Sequence, residues 1–263
     1  MKEKNLKSIL GIPYFLFLII FVICPVFILL YYAFTNGAGK FSIENFILFF
    51  TNRKAIGTLI YSAMIAVVTT VICLLIAYPT AYILAKGEFK RGNVLLMLFV
   101  MPMWINFTLR ITALKELLTI IEGNLAFHPF VNTIIGMTYD FLPFMILPIY
   151  NTIAKIDRSY IEAALDLGAE LHTVFFRVIL PLSMPGIVSG ITMVFLPAMT
   201  NYVVLDMMYN STYIMGSLIG SYFAAYNWHG GSMIALILLG IICLFTLLTN
   251  GSEEENTRGG ALL

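Results

Sequence analysis

The sequence predicts an all-α protein, a polytopic bundle of about six transmembrane helices. Hydrophobic residues make up 60% of its 263 residues and charged residues only 11%, whereas soluble globular proteins contain about 25% charged residues. The formal net charge is +1, from 15 Lys and Arg against 14 Asp and Glu. This balance disfavours a nucleic-acid-binding protein, and so large an apolar fraction excludes intrinsic disorder.

Six stretches are candidates for membrane spans. A helix needs about 20 mainly apolar residues to cross the hydrocarbon core, because its backbone must form its hydrogen bonds internally. The candidates are residues 9–34, 59–84, 94–113, 131–153, 186–205 and a shorter, almost purely aliphatic stretch, 232–248. The first is too long for a signal peptide and no small-residue cleavage site follows it, so we interpret it as a retained helix. Residues 212–226 are rich in Gly and Ser and favour an interfacial or re-entrant segment.

The distribution of Lys and Arg predicts the orientation, since cytoplasmic loops of membrane proteins carry an excess of both. A cytoplasmic N-terminus places ten basic residues inside and five outside. Those inside are Lys2, Lys4, Lys7, Lys86, Lys90, Arg91, Lys155, Arg158, Arg177 and Arg258, and those outside are Lys40, Arg53, Lys54, Arg110 and Lys115. We therefore expect a multi-pass protein whose N-terminus lies in the cytoplasm.

Neither a disulfide framework nor a metal site is predicted. Cys24, Cys73 and Cys243 are odd in number and lie far apart in apolar runs, which predicts buried free thiols. The three histidines are scattered, without a second ligand four residues away. The hydrolase and metalloprotease motifs G-x-S-x-G and H-E-x-x-H are absent from the sequence.

The predicted cytoplasmic loop at residues 154–185 has a pattern unlike the rest of the chain. Asp157 or Ser159 can cap the start of a helix. Small and apolar residues then recur at helical spacing, namely Ile161, Ala164, Leu165 and Gly168. Gly168 permits a sharp turn into a second short helix, which we expect to stop near Pro181. Two such helices with acidic flanks are suited to docking into a groove of a partner; packing on the protein's own bundle is the alternative.

This loop resembles the EAA signature of binding-protein-dependent ABC importer permeases of type 1. The signature reads E-A-A-x3-G-x9-I-x-L-P. It is matched here by Glu162, Ala163, Ala164, Gly168 and the run 178–181, with Val178 in place of Ile as the only departure. The resemblance implies the MetI-like permease fold over residues 57–248, preceded by an extra N-terminal helix and external loop (1–56) and followed by a polar tail (249–263).

The resemblance also implies partners. In this family the EAA loop contacts a cytoplasmic ATPase subunit, so Glu162, Ala163, Ala164 and Gly168 would form that contact. Closure of the ATPase dimer around ATP would then switch the pathway from inward-facing to outward-facing. The motif G-x4-G-K-[ST] is absent from this chain, so two partner ATPase subunits would bind ATP and Mg²⁺. A second permease and an extracytoplasmic substrate-binding protein would complete the assembly in a bacterial inner membrane.

Within the family, residues 98–110, 142–150 and 227–232 are most similar to the permeases for spermidine and putrescine. Polyamine cations pair with carboxylates and lie over aromatic rings, and an ionisable residue inside a span is a functional candidate by default. The candidates for the substrate pathway are two acids, their neighbouring tyrosines and two residues of the third span: Asp140, Asp206, Tyr139, Tyr202, Trp104 and Asn106.

These assignments have alternatives. Asp140 could pair with Arg110 inside the bundle, and Asp206 could meet water at the membrane interface. For the whole chain, the alternatives are import of another small solute, an intramembrane enzyme with Asp140 and Asp206 as a carboxylate pair, and a scaffold subunit whose partner forms the whole pathway. Since neither acid lies in a catalytic motif, we expect no enzymatic activity and no resident cofactor.

Overall fold

The computed structural model describes residues 13–87 and 92–259. Regular structure in these ranges is helical, with one isolated antiparallel bridge between Thr35 and Phe41. In chain order the helices are α1 (Pro13–Ala33), α2 (Glu44–Thr51), α3 (Arg53–Lys86), α4 (Gly92–Val100), α5 (Phe107–Glu122), α6 (Pro129–Lys155), α7 (Arg158–Asp166), α8 (Leu171–Ala198), α9 (Tyr202–Met207), α10 (Met215–Ala224) and α11 (Trp228–Gly259). Lys2, Lys4, Lys7, Lys90 and Arg91, which contribute to the predicted orientation, lie outside the described residues.

Five of these helices are long and apolar enough to cross a membrane, namely α1, α3, α6, α8 and α11. The third predicted span instead consists of two helices, α4 with its continuation to Trp104 and then α5, which meet at 100°. The prediction of an all-α bundle with about six spans is therefore confirmed. The segment at 212–226 contains α10, whose 10 residues are too few to cross a bilayer.

The third predicted span is interrupted by a sharp bend. A 3-10 turn at Met101–Trp104 is followed by extended backbone at Ile105. The side chain of Asn106 then caps α5, because its Oδ1 accepts a hydrogen bond of 3.0 Å from the backbone N–H of Thr108. A new helix therefore starts inside the mainly apolar stretch that was predicted as one span.

The predicted fifth span was also misplaced. Helix α8 begins at Leu171 and continues through Pro181, so the second short helix that we expected in the loop does not stop there. A π-helical turn at Phe175–Ile179 precedes the proline. Proline has no backbone N–H to donate, and the changed hydrogen-bond spacing of this turn lets the helix continue through it. The helix ends at Ala198 rather than near residue 205, and Asp206 lies on the separate helix α9.

Two smaller differences concern the thiols and the C-terminus. Cys73 is buried as expected, but Cys24 and Cys243 are exposed because they lie on outward faces of their helices. Helix α11 continues to Gly259 into the segment predicted as a polar tail, and residues 260–263 lie outside the described residues.

The chain divides into two compact units. The first contains the described residues up to Thr58 together with Ser217–Cys243. In it, Nδ1 of His229 lies 3.0 Å from the backbone oxygen of Tyr32. The second contains Leu59–Gly216 and the described residues from Leu244 onwards, and it includes all the residues predicted for coupling and for the substrate pathway.

The core of the second unit lies between α6 and α8. Gly186 and Gly190 face α6, where a Cβ added at Gly186 would come within 2.7 Å of the carbonyl oxygen of Pro148 and one at Gly190 within 2.6 Å of the sulfur of Met145. Glycines four residues apart allow two membrane helices to approach this closely. Met145, Ile146, Ile149 and Ile153 of α6 are fully buried.

Candidate functional site

The predicted coupling segment folds as helix α7 followed by a tight turn. Oδ1 of Asp157 accepts a hydrogen bond of 2.9 Å from the backbone N–H of Ser159, so Asp157 is the cap. This bond, and to a smaller degree the nearby charge of Lys86, lowers the pKa of Asp157, because both stabilise its carboxylate. At the other end Gly168 has a φ of +80° and the N–H of Ala169 donates to the oxygen of Ala164 at 3.0 Å, which closes the helix.

The two faces of α7 have different surroundings. Ile161 and Ala164 pack against a buried cluster of Ile156, Val174 and Ile179 in the same chain. The opposite face is exposed and presents Glu162 and Ala163, and Gly168 in the turn that follows is exposed as well. Packing on the protein's own bundle, one of the two alternatives for the sequence, therefore describes one face of this helix, and the other face is left exposed.

Two leucines, whose exposure the sequence pattern did not predict, are the most exposed apolar side chains of the turn. Leu167 is 89% exposed and Leu171 is 76% exposed. They flank Gly168, and the acids Asp166 and Glu170 lie beside them. The sequence places both leucines near a turn glycine, but their exposure depends on the packing around the turn. The exposed surface of the segment thus combines small, apolar and acidic groups.

Asp140 of α6 forms a buried ion pair with Arg110 of α5, the alternative that the sequence left open. Its second oxygen accepts a hydrogen bond of 3.3 Å from Nδ2 of Asn201, which lies in the link between α8 and α9. The guanidinium carbon of Arg110 lies 5.8 Å from the ring centroid of Tyr139. One carboxylate therefore connects the bent third span, the fourth span and the end of the fifth.

The other predicted pathway residues are exposed. Tyr202 and Asp206 are four residues apart on α9, so they share one face of that helix. Trp104 is 87% exposed and borders a largely apolar pocket of about 530 Å³ together with Tyr150 and Asn151 of α6. Asn106 serves as the cap of α5. The structure thus brings Tyr139 and Asp140 together around Arg110, and it places Trp104 beside α6 and the Tyr202–Asp206 face on α9.

A second polar cluster was missed by the sequence analysis. Nδ2 of Asn210, a buried residue, donates to the hydroxyl of Tyr61 and to Oγ1 of Thr133, each at 3.0 Å. The N–H of Met215 donates to Oγ of Ser62 at 2.8 Å. These bonds attach the link between α9 and α10 to α3 and α6. The sequence gives little sign of this, because the partners are up to 153 residues apart.

The chain is similar to known membrane transport proteins. Residues 77–251 match the family described as "Binding-protein-dependent transport system inner membrane component". The chain is 37% identical, over 89% of its length and 88% of the relative, to the spermidine/putrescine transport system permease protein PotB of Haemophilus influenzae. It is 35% identical to PotB of Escherichia coli, over 72% of this chain and 75% of that protein.

Solved structures share the fold. A chain of a bacterial alginate ABC transporter in complex with an alginate pentasaccharide-bound periplasmic protein has a TM-score of 0.72 and 13% identity, and the match covers 98% of this chain and 96% of the other. A chain of the MetNI methionine ABC transporter in an inward-facing conformation has a TM-score of 0.57 and 16% identity, over 82% and 99% of the two chains. The chain is therefore a permease subunit of an ABC importer rather than an enzyme, and it works with ATPase and substrate-binding partners. It belongs to the family of binding-protein-dependent transport system inner membrane components.

Proposed function

We propose that this chain is a permease subunit of an ATP-driven importer of polyamines, with spermidine and putrescine as substrates. The observation that carries this proposal is the 37% identity to a spermidine/putrescine permease over nearly the full length of both chains. The partners in this proposal are a second permease of the PotC type, two ATPase subunits of the PotA type that bind ATP and Mg²⁺, and a binding protein of the PotD type. The N-terminus and helix α7 face the cytoplasm.

Helix α7 couples ATP hydrolysis to transport in this proposal. Its exposed face presents Glu162 and Ala163, Gly168 is exposed in the turn that follows, and small side chains permit the close approach of a partner surface. Glu162 supplies a charge for a basic residue of the ATPase. Ala164 holds α7 in place for this contact, since it packs on the protein's own core. Movement of the ATPase subunits then displaces α7 together with the helices that hold it.

The pathway residues divide into two roles. Asp206 and Tyr202 on the exposed face of α9 supply a carboxylate and a ring for an ammonium group. Trp104 and Tyr139 supply further ring faces, and Asn106 adds an amide at the break of the third span. Asp140 has a positioning role instead of a substrate contact, because its charge is balanced by Arg110. Through this ion pair it holds Arg110 against the ring of Tyr139.

Uptake of labelled spermidine and putrescine tests the proposal, in cells that lack the chain and are complemented with it. We expect the complemented cells to recover ATP-dependent uptake of both. Asp206→Asn is expected to raise the concentration for half-maximal uptake about tenfold, since a hydrogen bond with a charged partner is worth about 1.5 to 3 kcal/mol. Glu44→Gln, which neutralises an exposed acid on α2, is the matched control. If cells that lack the chain take up polyamines normally but lose transport of another solute, the substrate assignment is rejected.

A further inference from the structure

One face of α3, near its C-terminal end, carries three residues at four-residue spacing, Tyr78, Tyr82 and Lys86. Side chains at this spacing lie one above the other on a helix. Lys86 contacts the chain before α7, and Tyr78 and Tyr82 contact the chain after it. This face lies outside the EAA motif, and nothing in the motif indicates it.

Lys86 contacts the chain just before α7. Its Nζ donates a hydrogen bond of 2.5 Å to the backbone oxygen of Ile156. Ile156 follows the last residue of α6 and directly precedes Asp157, the cap of α7. A cation at the C-terminal end of a helix is favourable, because the last carbonyl groups there have no partner within the helix. Lys86 is half-buried, so water competes less for this bond.

The two tyrosines contact the chain after α7. The rings of Tyr78 and Tyr82 meet the ring of Phe175 edge-on, with centroids 5.7 and 5.8 Å apart. The hydroxyl of Tyr78 also lies 3.0 Å from Oγ of the buried Ser183. Phe175 begins the π-helical turn of α8. The same face of α3 therefore holds the chain on both sides of α7.

We propose that Lys86 is a positioning residue for energy coupling. Its hydrogen bond to the Ile156 carbonyl fixes the start of α7 to α3, so that a displacement of α7 by the ATPase moves α3 with it. Without this bond the start of α7 keeps only its apolar packing on the cluster of Ile156, Val174 and Ile179, and part of the displacement is absorbed by the link between α6 and α7. The inference rests on the proposed function, since it requires that α7 docks on an ATPase.

The test uses the complete complex of both permeases and the ATPase subunits in proteoliposomes, with the binding protein and spermidine. The measured quantity is the number of spermidine molecules transported per ATP hydrolysed. Lys86→Met is expected to lower this ratio about fivefold through loss of a charged hydrogen bond, with the KM for ATP and the yield of assembled complex unchanged. Lys86→Arg keeps the donor and is expected to restore the ratio. Lys155→Met, a change at an exposed lysine at the end of α6, is the matched control.

Amide hydrogen exchange over residues 156–168 gives a second measurement that does not depend on transport. Lys86→Met is expected to speed exchange in this segment several-fold relative to Lys155→Met, because local opening becomes easier. Equal transport ratios and equal exchange in the two variants, in a complex that is otherwise coupled, would overturn the role of Lys86 alone. Absence of ATP-dependent uptake by the unchanged complex would instead contradict the proposed function, and the inference with it.

Discussion

Arg110 of α5 and Asp140 of α6 form an ion pair whose side chains are only 7% and 6% exposed. Asp140→Ala is expected to lower the free energy of unfolding by about 3 to 5 kcal/mol, because it leaves a buried guanidinium without its counter-charge. Thermal unfolding of the purified complex measures the change. The double variant Arg110→Leu with Asp140→Leu is the control, since it removes both charges and is expected to recover most of the loss. Equal destabilisation by the single and double variants would show that charge pairing is not the cause.

Close packing of α6 on α8 makes a second prediction. In Gly186→Ala the new Cβ would lie 2.5 Å from Oγ1 of Thr152 and 2.7 Å from the oxygen of Pro148. The helices must move apart, at a cost of about 1 to 3 kcal/mol in the free energy of unfolding. Gly240→Ala is the control, because no atom lies within 4 Å of a Cβ added there. If both variants melt at the same temperature, the close contact between α6 and α8 is not important for stability.

The turn after α7 requires a residue with a left-handed backbone conformation. Gly168 has a φ of +80° and open space around it, so Gly168→Val introduces backbone strain of about 1 to 2 kcal/mol rather than a clash. We expect about a tenfold loss of co-purifying ATPase, since 1.4 kcal/mol corresponds to a factor of ten. Asparagine tolerates this backbone, so Gly168→Asn is expected to retain more.

A matched control for this turn is Gly123→Val. Gly123 ends α5 with a φ of +78° and equally open space, so it carries similar strain far from α7 in sequence. Equal loss of ATPase from the Gly123 and Gly168 variants would mean that general instability, rather than the position of α7, weakens the complex.

The cap of α7 predicts a pH dependence. The hydrogen bond to Ser159 lowers the pKa of Asp157 below its ordinary value of 3.8, so the folded state favours the carboxylate. The resulting stabilisation is fully present above the ordinary pKa and is lost as the pH falls through the lower folded value. Amide exchange in α7, corrected for its intrinsic pH dependence, should therefore accelerate in this acidic range. Asp157→Asn, which caps without a charge, should show no such step.

The sequence predicted α1, α3, α6 and the apolar part of α11 as membrane spans, because each has a long apolar run bounded by polar residues, and it predicted the helix at α7 because its pattern is contiguous. It did not predict the break at Asn106, since hydropathy is averaged over a window and a capped helix start contributes one polar residue to it. Nor did it predict that α8 passes through Pro181, because the π-helical turn that permits this depends on the local hydrogen bonds and has no composition of its own.

The candidate pathway was predicted as a set of residue types but not as an arrangement. Arg110 and Asp140 are 30 residues apart, and the sequence could name them as partners without choosing between pairing and substrate contact. Asn201 as a third member was not expected, since its approach to Asp140 depends on where α8 ends. Lys86 was noted only for its charge, although its hydrogen bond involves a backbone oxygen 70 residues away.

The continuity of α8 has a geometric consequence. Its 28 residues, Leu171–Ala198, correspond to a length of about 42 Å at 1.5 Å per residue. A tilt of about 5° around its first turn would shift its last turn sideways by nearly 4 Å, or about two and a half times the rise per residue. Asn201 follows three residues after that last turn and donates to Asp140 across 3.3 Å. A small rotation beside Leu171 is therefore large enough to separate Asn201 from Asp140 at the opposite end of the span.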